Sequence, residues 1–174
     1  DQLKSKSSNK TLPLIWAESI TNTGFNFSAE KRNHRPYFEI LKSQKFLVTN
    51  KSCVLVQRTT SIEQERRLIA AVLPQEFIDK SGGVVVENHL NMVYSNDNSN
   101  LIRPEIIEVL LNSKVIDQVF RCISGSVAVS AYELNNLPLP TESQLLSIEK
   151  SIKKGARKEF IEKKIASFYE VNKG

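Results

Sequence analysis

With 174 residues, 40% of them hydrophobic and 25% charged, the chain has the make-up of one globular domain with a short appendage. No apolar run approaches the roughly 20 residues that a membrane span needs. The polar opening Asp1 to Lys10 lacks the apolar centre of a secretory signal, so a cytoplasmic piece of a longer protein is expected. The net charge of +5 is uneven: residues 1–45 carry +4, residues 46–144 carry −3 and residues 145–174 carry +4. Cations at both ends suit a polyanionic partner, because each phosphate neutralised releases a condensed counterion. Lys-rich helix faces turned to solvent would give the same count.

After a polar lead-in (1–10), residues 11–140 form the body and 141–174 a helical C-terminal segment. Leu12 to Trp16 reads as a short apolar strand, Phe25 to Pro36 as a polar, basic loop, and Lys45 to Val48 as a second short strand. Cys53 to Arg58 is nearly continuous and β-branched, as a strand covered on both faces is, and it turns polar abruptly at Arg58-Thr59-Thr60. Leu68 to Leu73 reads as the next strand, stopped by Pro74, with a helix capped near Ser61 as the competing assignment. Gly82-Gly83 opens a β-rich segment, Val84 to Tyr94, that is polar in its middle, and Ser95 to Asn100 is a loop.

Helix signals dominate from Pro104, which suits a first helical turn with Glu105 at the positive end of the dipole. Ile106, Ile107, Leu110 and Leu111 follow at helical spacing. Leu110 to Ile123 reads as an apolar helix, with the turn-breaking pair Asn112-Ser113 before Val115, Ile116, Val119, Phe120 and Ile123 on one face, and Gly125 is expected to close it in a left-handed cap. An acid-capped turn at Tyr132 to Asn136 leads into Leu137-Pro138-Leu139-Pro140. Thr141 and Gln144 have the spacing of a capping box before Leu145, Leu146, Ile148 and Ile152. Gly155 marks a break before a last amphipathic helix through Phe160, Ile161 and Ile165. The sum is an α+β fold: a mixed, β-rich part with helices in its C-terminal half and at its C-terminus.

Several chemistries find no support. There is no GxGxxG, GxxxxGK[ST] or HExxH, and Gly82-Gly83 precedes a strand instead of linking strand to helix as a phosphate cradle does. Cys53 and Cys122 have no CxxC and no histidine at ligand spacing, so two buried free thiols in a reducing cytosol account for them. A nuclease needs carboxylates clustered around a metal, and Glu87 has no partner at a convincing spacing. Binding is better supported. Lys31, Arg32, His34 and Arg35 lie beside Tyr37 and Phe38 and suit phosphates or groove edges. Gln57, Arg58, Thr59, Thr60, Arg66 and Arg67 set donors where apolar strands end, with Arg matched to guanine, Gln to adenine and Thr to a thymine methyl. Glu87, Asn88, His89 and Asn91 are further candidate readers, although Asn88 and His89 would equally serve to cap buried backbone groups.

The order of these segments resembles a known family. Val54 to Ser61, Glu65 to Ala71, Glu87-Asn88-His89-Leu90-Asn91, Leu111-Asn112-Ser113, Val115 to Arg121, Ser124-Gly125-Ser126 and the terminal Ile165 to Tyr169 are similar to the C-terminal specificity region of adenine-specific DNA methyltransferases of type II restriction–modification systems. The resemblance implies a DNA target recognition domain over 11–140. Its parent would transfer a methyl group from S-adenosylmethionine to an adenine flipped out of the duplex. Double-stranded DNA, an N-terminal catalytic domain and a cognate restriction endonuclease are the implied partners. This chain lacks the family's Asn/Asp-Pro-Pro-Tyr/Phe motif and a cofactor motif, so no catalytic residue and no cofactor is expected in it. It also departs from the family at the turn after the helix, where Gly-His-Thr-Gln-Val-Asn is replaced by Gly125-Ser126-Val127-Ala128-Val129-Ser130, which removes the family's own base-contacting side chains there; Ser126 is the candidate DNA contact of this turn. The alternatives are a recognition domain of a type I specificity subunit, which shares the Leu-Pro-Leu-Pro-then-helix order, and a restriction endonuclease.

Overall fold

A computed structural model describes residues 2–29, 33–59, 65–95, 102–126 and 128–170. It divides into two units, one of residues 1–58 and 69–94 and the other of residues 59–68 and 95–174. The fold is α+β, as expected.

The first unit is built on strands. β1 (Leu3–Lys4), β2 (Thr11–Ile15), β5 (Tyr37–Glu39), β6 (Val48–Thr49) and β9 (Val84–Val86) form a mixed sheet in the order β1-β5-β2-β9-β6, in which β2 and β9 run parallel. Part of the polar opening is therefore an edge strand, with Leu3 opposite Phe38. β7 (Cys53–Gln57) is the centre of an antiparallel sheet between β8 (Ala70–Leu73) and β10 (Leu90–Val93). Short β3 (Ile20–Thr21) and β4 (Gly24–Phe25) pair as a hairpin. Cys53 to Val56 are all buried, which is why that run shows no polar alternation. Ile15, Ile20, Leu55, Leu73, Ile78, Val84 and Leu90 make the core, with Phe25, Phe27 and Phe77 packed on it.

Three expectations change. Lys42–Leu47 is a 3-10 helix and the strand begins only at Val48, because Phe46-Leu47 is too short an apolar run to alternate and Phe46 stands out in solvent. Pro74 stops β8 as expected, but it also opens α1 (Gln75–Ser81), whose C-cap is Gly82 at φ 68°. Cys122, on a helix of the second unit, is exposed, so only Cys53 is a buried thiol. Burial pushes the Cys53 thiol up to about 11. Because the thiolate is the reactive form, iodoacetamide at neutral pH is expected to label Cys122 and spare Cys53; equal labelling of the native protein by mass spectrometry would contradict this.

The second unit is helical: α2 (Pro104–Leu111), α3 (Lys114–Ile123), α4 (Ala131–Asn135), α5 (Glu142–Lys153) and α6 (Lys158–Ser167). Asn112-Ser113 divides the apolar stretch into two helices, since Ser113 turns its hydroxyl to accept the Ile116 N–H and so starts α3. Ile106, Leu110, Ile116, Phe120, Ile148, Ile161 and Ile165 are among its buried apolar residues. α5 and α6 pack on each other and on α2 and α3 respectively. Ser130 with Glu133 and Thr141 with Gln144 form capping boxes, the second as its spacing predicts. Gly125 does not take the left-handed conformation; α3 leaves through an extended Ser124 instead. Among the described residues no helix is long and apolar enough to cross a membrane.

Candidate nucleic-acid interface

One end of the first unit brings together Gln57, Arg58, Glu87, Asn88 and His89. β2 and β9 lie parallel with Ile15 beside Val86, so the segments leaving them, Trp16 to Glu18 and Glu87 to His89, emerge side by side. The Glu87 N–H donates to the Ile15 carbonyl at 3.0 Å. Gln57, at the end of β7, donates its side-chain amide to the carbonyls of Ala17 at 3.0 Å and Ile20 at 2.9 Å, which ties that strand end to the same place. Gln57 is thus held by the fold, and its amide hydrogens are spent on backbone acceptors rather than offered to a base.

Arg58 follows as an exposed residue. Its backbone N–H donates to the His89 carbonyl and its Nη1 to the Asn88 carbonyl, each at 2.9 Å, which anchors the guanidinium on the β9–β10 turn. Asn88 and His89 are exposed. Glu87 accepts the His89 N–H and pairs with its Nδ1. Asn91 lies within β10, opposite Val56.

A second group sits where β2 ends. The ring of His34 stacks on Trp16 with centroids 4.0 Å apart and planes 8° from parallel, while Nδ1 meets Glu18 at 2.8 Å. Trp16 Nε1 donates to the Arg35 carbonyl at 2.8 Å, and Arg35 reaches the Ser5 hydroxyl. His34 and Arg35 are both exposed. Lys31, Arg32 and Thr60 lie outside the described residues. Trp16 and Glu18 had no signal in the sequence; they matter because an indole face and a carboxylate orient the His34 ring.

In the second unit the segment Glu65 to Leu68 is held by Asp117, which is buried on α3. Its Oδ1 accepts the N–H groups of Arg67 at 2.6 Å and Leu68 at 2.9 Å, and its Oδ2 accepts Arg121 Nε at 2.7 Å. Arg121 in turn donates to the Glu65 carbonyl. This corrects the reading of Arg67 as a groove contact. It is only 9% exposed, and its guanidinium donates to the Ser126 carbonyl, so the charge is spent on closing a loop. Arg66 is half-buried and donates to the Asn112 carbonyl at 2.5 Å. Thr59 is exposed and bridges to Ala128, and Ser126 is exposed with its hydroxyl on the Ala128 carbonyl.

What this chain displays at the ends of its buried strands is a set of hydrogen-bonding and cationic side chains oriented by backbone contacts. Comparison with known proteins narrows the class. The chain is 28% identical over 153 residues to the type II methyltransferase M.BsuBI of Bacillus subtilis, an alignment that covers 86% of this chain and 30% of that protein. It is 27% identical over 147 residues to the type II methyltransferase M.PstI of Providencia stuartii, covering 83% of this chain and 29% of that protein. The chain is therefore homologous at low identity to type II methyltransferases over most of its length, and it spans less than a third of theirs. No family model and no solved structure matches it.

Proposed function

We propose that this chain is the DNA target recognition part of an adenine-specific methyltransferase of a type II restriction–modification system. The observation that carries the reading is the similarity to two type II methyltransferases, which takes in over four-fifths of this chain but under a third of either relative. S-adenosylmethionine is the group such a parent needs, and the residues here do not fit it. Gly82 caps a helix and Gly83 leads directly into β9, where a Cβ would meet Val48 and Asn50, so the glycine pair offers no strand-to-helix cradle for a cofactor. Cofactor and catalysis belong to the N-terminal catalytic domain of the parent, with double-stranded DNA as the substrate and a restriction endonuclease of the same specificity as the companion activity.

On this reading Arg58, Asn88 and His89 face base edges, with Thr59, Arg66, Asn91 and Ser126 as further contacts. His34 and Arg35, with Lys31, Arg32 and Thr60, meet phosphates or groove edges. Duplex binding by the purified chain tests it. With roughly four phosphates neutralised, affinity is expected to fall on the order of a hundredfold between about 50 and 200 mM salt. Binding that is flat across that range, or absent at its lower end, would sink the reading. Arg58→Ala is expected to cost about 1–3 kcal/mol and to relax preference at one base pair. Selection from a randomised duplex pool checks this second expectation, and uniform weakening without any change in the selected sequence would remove Arg58 from the readers.

A further inference from the structure

The turn between β9 and β10 fixes which hydrogen-bonding face a histidine shows to its surroundings. The Glu87 carboxylate is 15% exposed and the His89 ring 61% exposed. Glu87 accepts the His89 backbone N–H at 2.9 Å and lies 2.7 Å from Nδ1. An ionised carboxylate only accepts, so the ring hydrogen must sit on Nδ1. In the neutral ring the outer nitrogen, Nε2, then carries a bare lone pair. The turn itself is held still, because Arg58 bonds both the Asn88 and the His89 carbonyls and the Leu90 N–H returns to the Glu87 carbonyl.

We propose that Glu87 is a positioning residue that makes His89 a hydrogen-bond acceptor, and that His89 thereby selects one base with an exocyclic amino group, adenine or cytosine. The assignment rests on the DNA reading above. In the major groove adenine N6 and cytosine N4 present amino hydrogens where guanine and thymine present carbonyl oxygens. A single outward lone pair therefore separates the two classes, and the Arg58 guanidinium, held against the same turn, supplies the opposite preference to a neighbouring position. Without Glu87 the ring is free to carry its hydrogen on Nε2, which matches guanine or thymine.

The test is selection from a randomised duplex pool by the full chain and by Glu87→Ala and His89→Ala, at about pH 9, where an ordinary imidazole is neutral. The chain is expected to favour an amino-bearing base by about tenfold at one position. His89→Ala should abolish that preference at that position alone, and Glu87→Ala should shift it toward guanine or thymine. Nitrogen-15 NMR of the unaltered chain adds a reading that does not depend on how the variants fold: Nδ1 is expected to bear the hydrogen, and a ring protonated on Nε2 overturns the proposal. If the chain selects no sequence at all, the DNA reading fails and takes this one with it. If it selects a sequence that both variants retain at every position, the DNA reading stands and the role given to Glu87 and His89 falls.

Discussion

Asp117→Ala is expected to lower the free energy of unfolding by about 3 kcal/mol. The carboxylate is almost wholly buried and accepts two backbone N–H groups from the opposite segment, those of Arg67 and Leu68. Truncation leaves both donors in an interior without water, and each orphaned group costs on the order of 1–3 kcal/mol. The Arg121 side chain loses one of its partners as well, but it keeps the Glu65 carbonyl, is partly exposed and can hydrate, so it adds little. Asp117→Asn keeps an acceptor for the two amides and should recover much of the loss. Chemical denaturation separates the cases: the midpoint falls at constant slope. A loss under about 1 kcal/mol for the alanine variant would show that the segment is held by something else. Because Arg66 belongs to that segment, duplex binding should weaken in the same variant at temperatures where the rest of the unit remains folded.

Gly83→Ala is expected to cost about 3 kcal/mol, and Gly82→Ala about 1. Both glycines have positive φ, 68° at Gly82 and 113° at Gly83, a region that a side chain opposes by roughly 1–2 kcal/mol. They differ in the space available. A Cβ at Gly82 meets nothing within 4 Å, whereas one at Gly83 falls 2.6 Å from Val48 Cγ1 and 2.8 Å from Asn50 Oδ1. The second contact set forces β6 and β9 apart at the register where Thr49 faces Val84, adding overpacking of about 1–3 kcal/mol. Thermal unfolding of the two variants side by side reads the difference. Equal costs would mean that the sheet edge yields freely, and that the second glycine serves only its backbone angle.

Much of the secondary structure was written in local patterns. The unbroken apolar run of Cys53 to Val56 marks a strand buried on both faces, and Thr141 with Gln144 marks the start of α5, because each signal is complete within a few residues. Where the pattern was short it misled: Phe46-Leu47 lies in a 3-10 helix, and Gly125, expected as a left-handed cap, is not one. The Glu87–His89 pairing is likewise local, two residues apart, and the string Glu-Asn-His carries it.

The candidate site was legible as composition but not as geometry. Arg58 and Arg67 look alike in the chain, each a cation beside an apolar run. One stands in solvent and the other is buried, because Asp117, fifty positions away, draws the second segment inward. The stack of His34 on Trp16 and the anchoring of Gln57 by Ala17 and Ile20 are of the same kind. Periodicity and caps report free energies settled between near neighbours, and those the amino-acid order contains outright. Whether a charged side chain faces water or a backbone carbonyl depends on which distant segments arrive beside it, and only the folded chain supplies them.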